Sequence, residues 1–274
     1  KNEVNDFLTD PNKNIIMGPK GYGKTLFLRR KSLLYKKYQH QNVTFPRGEE
    51  LTEDGKEVEI TQLTDNPLTD NPFRKNYFIS QNDITNNNKD NLRQKIENLM
   101  FAWEYAFVTA ANMYTTTKES GNKDSNLTLN MFKESLTKDP ATVRTLKNKA
   151  ISQSDRECYI FIDNIDLMVK FGYFRGASVL PFWIALQLAF CLALSELSHK
   201  HIHIYGTIRH EALNLLDPKY LQYSDKTKLD RLLTKLKYTA ADVRKIYENN
   251  ISLAISETDY ANATGDEAVR KYLG

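Results

Sequence analysis

The sequence predicts an α/β fold built on a parallel sheet, and three features carry that prediction. Short apolar runs at Asn14-Ile15-Ile16-Met17, Tyr159-Ile160-Phe161-Ile162 and Ile202-His203-Ile204-Tyr205 each stop at a glycine or an aspartate. Long stretches of helical character separate them, and strands joined through helices pair in parallel with right-handed crossovers. In such sheets ligands sit at the carboxyl ends of the strands, and the chemically distinctive residues of this chain fall there.

Taken in order, the first run ends at Gly18 and fits a buried parallel strand. After a glycine-rich turn, Lys24 to Tyr38 reads as a helix, with Leu26, Leu33 and Leu34 as its apolar positions and Arg29, Arg30, Lys36 and Lys37 solvated. Glu50 to Thr61 alternates about Asp54-Gly55, a pair suited to a type I′ hairpin turn. A tandem duplication, Leu63 to Pro67 followed by Leu68 to Pro72, is dense in Pro and Asx and predicts an irregular surface loop. Tyr77 to Ser80 is expected as a further strand and Asn82 to Asn91 as a polar loop. Leu92 to Thr115 has no Gly or Pro and predicts a helix of about six turns. On it, Trp103, Tyr105 and Phe107 read as packing residues rather than base-stacking platforms. Residues 121–155 are polar with short helical candidates and are expected at the periphery. The second and third apolar runs end at Asp163 and at Gly206-Thr207. Residues 211–274 look helical, with Thr239 to Asp242 forming a variant capping box.

Composition narrows the class. Hydrophobic residues at 41% and charged residues at 26% of 274 suit a globular chain with one large α/β domain. A net charge of +4 permits nucleic-acid contact without arguing for it. Cys158 and Cys191 lie far apart, which suits a reducing cytoplasm and predicts neither a disulfide framework nor a cysteine metal site. Val179 to Leu194 is apolar but only 16 residues long, with Gln187 inside it and Pro181 near its start. A membrane span needs ~20 such residues, so the run is expected as a core helix. The chain begins Lys1-Asn2-Glu3-Val4 without Met or an apolar leader, and is expected to be a segment of a longer protein.

Gly18-Pro19-Lys20-Gly21-Tyr22-Gly23-Lys24-Thr25 matches the phosphate-loop pattern G-x-x-x-x-G-K-[ST] at every required position. A chain that wraps a phosphate aims several N–H groups inward, which demands conformations that glycine tolerates. The helix that follows, through Leu26, offers its N-terminal N–H groups to the same oxygens. Lys24 neutralises β and γ oxygens, and the Thr25 hydroxyl is a ligand for Mg²⁺. The metal also needs a carboxylate at a neighbouring strand end, and Asp163 is the candidate. The expected cofactors are therefore ATP and Mg²⁺. Guanine is disfavoured, because no N-K-x-D run is present.

The order of these elements resembles the additional-strand P-loop ATPases, the AAA+ proteins and their signalling relatives, the STAND ATPases. The resemblance covers patches at Asn14 to Leu28 and Tyr159 to Ile246, and Thr207-Ile208-Arg209 is similar to the Thr-Thr-Arg sensor of STAND proteins. It implies a parallel-sheet P-loop NTPase of the additional-strand type over residues 1–210, with insertions at about 40–155, followed by a helical lid-like region at 211–274. It implies that Arg209 contacts the γ-phosphate. Asn164 departs from the AAA+ pattern, which places Glu there to orient water; Asp166 matches an Asp of STAND-type patterns and is the expected water-activating residue. A second sensor arginine is not identifiable. The resemblance further implies a homo-oligomer acting with an effector protein or domain, as in bacterial antiphage defence.

Three function classes follow: an ATP-hydrolysing motor or switch, a nucleotide-gated scaffold with little turnover, and a nucleic-acid-dependent ATPase. The Arg29-Arg30-Lys31 cluster with Lys36-Lys37 reads as a solvated helix face rather than a nucleic-acid footprint. His199, His201 and His203 alternate as if along a strand, without a fourth ligand for zinc.

Overall fold

Side chains buried on both faces explain why the inner strands read as continuous apolar runs. The sheet comprises β1 (Ile15–Gly18), β2 (Gln41–Thr44), β3 (Cys158–Ile162), β4 (Ile202–Arg209) and β5 (Leu233–Lys235). They lie in the order β2-β3-β4-β1-β5, each neighbouring pair parallel. This computed structural model describes residues 3–35, 41–44, 72–85, 89–116, 127–153, 157–163, 165, 180–197, 201–214, 223–239, 241–242 and 244–245. The chain divides into two compact units, 1–235 and 236–274.

The expected α/β fold with a parallel sheet is present, and its edges are new. β2 (QNVT) and β5 (LTK) stand at the two edges and carry the polar residues that edges tolerate. Their sequences therefore lack the apolar signature of β1, β3 and β4. β5 also corrects the all-helical reading of 211–274, since Leu233–Lys235 pairs with Ile15–Met17 of β1.

Ten helices surround the sheet among the described residues: α1 (Glu3–Thr9), α2 (Lys24–Leu34), α3 (Pro72–Asn76), α4 (Gln81–Thr85), α5 (Lys89–Thr116), α6 (Leu127–Leu136), α7 (Pro140–Ser152), α8 (Leu180–Leu197), α9 (His210–Asn214) and α10 (Tyr223–Leu232). Successive residues of a strand point to opposite faces, and β4 shows the division. Tyr205 lies under Lys31 of α2, whereas Gly206 lies under Phe190 of α8. α2 thus covers one face with α1, and α8 covers the other with α5.

α5 organises the second layer. Trp103 stacks on Phe132 of α6 with ring centroids 3.8 Å apart and meets Phe190 of α8 edge-on at 5.3 Å. Its indole N–H donates to the Leu186 carbonyl at 3.2 Å. Trp103 and Phe107 are buried, as expected of packing residues. Lys147 of α7 reaches Glu104 of α5 at 2.7 Å, and burial still holds that carboxyl above its ordinary range. Residues 121–155 are therefore more than peripheral: α6 and α7 bury Leu129, Phe132, Leu136 and Val143. Asp139 caps α7 by accepting from the N–H groups of Ala141 and Thr142, ahead of Pro140 in the first turn.

Residues 77–80 do not form a strand. Their alternation is real, with Tyr77 and Ile79 buried, but helices provide the cover and the Tyr77 hydroxyl donates to the Lys138 carbonyl at 3.1 Å. The expected loop from Asn82 to Asn91 instead contains most of α4 and the start of α5, with Asp83 accepting from the Ser80 N–H at 2.7 Å. The leucines of α2 are also reassigned: Leu26, Leu33 and Leu34 are 66%, 54% and 52% exposed, and the helix buries Leu28, Lys31 and Ser32 instead. α8 is long and apolar enough to cross a membrane by length and composition; here it packs on α5, α9, α10 and β4. In the second unit the capping box forms, with Asp242 accepting from the Thr239 N–H at 2.9 Å. Hydrogen bonds from Thr239 hold the Asp242 carboxyl below its ordinary range. The expected hairpin at 50–61 and the duplicated loop up to 71 lie outside the described residues.

Candidate functional site

The glycine-rich segment leaves the carboxyl end of β1 and enters α2. Gly21 and Gly23 adopt φ angles of 83° and 74°, in the left-handed region where a side chain is disfavoured. Space around Gly21 is open, so backbone conformation rather than crowding demands glycine there. Gly23 caps α2 without a side-chain acceptor, and no acidic residue occupies the first turn. A helix end of this kind, with N–H groups facing outward and the positive end of the dipole behind them, is one that an anion would suit. The loop closes through the Tyr22 N–H and the Pro19 carbonyl at 3.5 Å. The Lys24 ammonium donates to the carbonyls of Gly18 and Pro19 at 3.0 and 2.9 Å, folded back over its own loop. Lys20 and Leu26 are exposed.

Asp163 is the first residue beyond β3 and is 2% exposed. Its two carboxylate oxygens accept from different hydroxyls: Oδ2 from Thr25 Oγ1 and Oδ1 from Thr207 Oγ1, both at 2.5 Å. Three segments converge on this carboxylate: the first turn of α2, the end of β3 and the end of β4. Burying a polar group is costly unless it is hydrogen-bonded, and both oxygens of this carboxylate are. The Thr25 hydroxyl and an Asp163 oxygen also form an adjacent pair of hard oxygen donors. That pair fits Mg²⁺, which takes one or two protein ligands and fills its octahedron with water and phosphate oxygens. No group of three His, Cys, Asp or Glu that could hold a metal occurs among the described residues.

Arg209 ends β4 opposite Gly18, the first residue of the loop. It follows Thr207 by two, so both side chains lie on the α2 face of the sheet. The Arg209 backbone N–H donates to Gln187 Oε1 of α8 at 2.8 Å. Lys24, Thr25, Asp163 and Arg209 thus gather at one end of the sheet. Asn164 and Asp166 lie outside the described residues, while Ile165 between them is buried.

Sequence reasoning named Thr207 only as part of a triplet and Gln187 only as a polar break in an apolar run. Alternation from Tyr205 would have aimed Thr207 at the loop, but nothing local signals its bond to a residue 44 positions away. Among the weaker signals, Lys31 is fully buried and does not belong to a solvated basic face. His201 occupies a turn with φ 61°, and His203 stacks on Tyr159 at 4.6 Å and approaches Glu157 at 3.1 Å. Cys158 and Cys191 are buried and unbridged. Comparison with known proteins finds no matching family model, curated protein or solved structure.

Proposed function

We propose that this chain binds Mg²⁺-ATP on the Gly18–Thr25 loop and hydrolyses it, as the motor or switch module of a larger oligomeric protein. The observation that carries the reading is the Asp163 carboxylate held between the hydroxyls of Thr25 and Thr207. It joins the glycine loop after β1 to the ends of β3 and β4, an arrangement that suits a shared phosphate and metal site. The strand order supports the additional-strand resemblance, because β4 lies between β1 and β3.

In this reading Lys24 turns from its own loop carbonyls to the β and γ oxygens, and the backbone N–H groups of 20–26 cradle them. Thr25 and Asp163 hold Mg²⁺, which neutralises charge on the phosphate oxygens when bound. Arg209 reaches the γ-phosphate from beside Gly18, and Asp166 orients water. A nucleotide-gated scaffold is the second reading. Asn164, a poor proton acceptor where a Glu would orient water, favours it.

ATP hydrolysis by the full-length protein over a range of protein concentrations tests both, with Lys24→Ala and Asp166→Asn alongside. Turnover per subunit that rises with concentration, and collapses in both variants, is the expected result. ATP binding without turnover, unchanged by Asp166→Asn, would leave the scaffold. No ATP binding by the wild type would sink both. Stimulation by DNA or RNA that fades with salt would instead favour a nucleic-acid-dependent ATPase.

A further inference from the structure

Among the buried residues of α8, Gln187 alone carries a side-chain amide. Burying an amide in apolar surroundings is unfavourable unless its polar atoms are bonded, and both are. Nε2 donates to the Trp183 carbonyl one turn back at 3.3 Å, and Oε1 accepts from the Arg209 N–H at 2.8 Å.

The second bond fills a gap in the sheet. The Gly206 N–H donates to the Asn14 carbonyl on the β1 side. Alternation along the strand therefore turns the Arg209 N–H, three residues later, toward β3. The pairing of β3 with β4 ends at Ile162 opposite Gly206. The last residues of β4 extend past their neighbour, and Gln187 supplies the acceptor that a longer β3 would have offered. Its helix is fixed on both sides, by the Trp103 bond to Leu186 and by Phe190 seated on Gly206.

We propose that Gln187 is a positioning residue for Arg209: by holding its backbone beside Gly18, it gives the site its discrimination between a nucleoside triphosphate and diphosphate. The inference rests on the nucleotide reading above. It also makes α8 the element through which a change at the terminal phosphate reaches the α5 layer. Without the Gln187 acceptor, the end of β4 keeps its pairing with Gly18 on the β1 side but is held less firmly on the other, and the guanidinium is less precisely set against the phosphate loop.

The test is binding of ATP and ADP to the full-length protein and its Gln187→Met, Gln187→Glu, Arg209→Ala and Gln187→Met/Arg209→Ala variants, with thermal unfolding as a check of fold. Met keeps the length and volume but removes the amide acceptor; Glu keeps an acceptor oxygen. The ATP-over-ADP preference is expected to fall about tenfold in Gln187→Met, the scale of one well-placed polar contact. It is expected to persist in Gln187→Glu, and the double variant should discriminate no worse than Arg209→Ala. Wild-type preference in Gln187→Met, or an effect of the same size once Arg209 is gone, overturns the positioning role and leaves nucleotide binding intact. A wild type that binds neither nucleotide overturns both. A second readout does not depend on the stability of any variant: exchange of the wild-type Arg209 amide with deuterium is expected to slow more with ATP than with ADP, and equal protection contradicts the proposal.

Discussion

The helices α2 and α8 lie on opposite faces of β4 and are tied to it in opposite ways. α2 leaves three leucines exposed and buries a lysine, whereas α8 is apolar nearly all round and buries an amide. Each buried polar group is bonded to the backbone of another segment. The Lys31 ammonium donates to the carbonyls of Phe7, Asp10 and Lys13 at 2.5, 2.9 and 2.8 Å, between the rings of Phe7 and Tyr205. It thereby gathers the segment that leads into β1. Gln187 holds the last residue of β4. The strands on either side of the loop's origin, β1 entering it and β4 ending beside it, are each secured by a polar exception in a helix. Lys31 and Gln187 mark where these two helices fix backbone, and their apolar neighbours mark where the helices fill volume.

The largest expected effect comes from the volume-filling side. Phe190 meets Trp103 and Phe107 edge-on and covers Gly206, so Phe190→Ala should cost about 3–5 kcal/mol in urea unfolding. A loss below about 1 kcal/mol would show that α8 is not the core of this face. Gly206→Val comes next. A β-carbon there would sit 2.5 Å from Phe190 Cζ, and overpacking of this kind costs about 1–3 kcal/mol. Combining it with Phe190→Leu should recover part of that cost, because the two sites share one volume.

Lys31 sharpens the contrast through pH. Burial lowers its pKa from 10.5 to about 7, against the opposing pull of Asp10. The unfolded chain therefore holds a proton that the folded one has lost between pH 7 and 10.5, and stability rises with pH in that window. Wild-type stability measured against Lys31→Met should be flat below pH 7 and climb from there toward pH 10.5. A difference that stays constant across the window would show that the three carbonyls keep the ammonium charged throughout. The smallest effect belongs to the exposed leucines: Leu33→Gln should change stability by no more than about 0.5 kcal/mol. A larger loss would reveal a segment seated on that face.

Local rules account for what the sequence alone determined. The loop was legible because two glycines at positive φ, a Lys-Thr pair and an apolar strand ahead of them are a pattern written in consecutive residues. Asp163 was legible for the same reason, as the first polar residue after a continuous apolar run. The long helix with Trp103 and Phe107, the burial of most of 180–194 and the capping box at Thr239 also follow from spacing and composition within a few turns.

The tertiary structure decided whatever depends on which surface an element meets. Leu26, Leu33 and Leu34 fit a helix as well as Leu28 and Lys31 do, and only the seat of α2 on β1 and β4 determined which of them left water. The alternation of residues 77–80 suited a strand, but the segment does not join the sheet, and its apolar side chains are buried all the same. Edge strands β2 and β5 escaped notice because a strand bonded on one side alone needs little apolar character. The partnerships of Asp163 with Thr25 and of Gln187 with Arg209 span 138 and 22 residues of sequence. Backbone conformation and periodicity are properties of neighbours along the chain. Burial and hydrogen-bond satisfaction belong to neighbours in space, and folding alone chooses those.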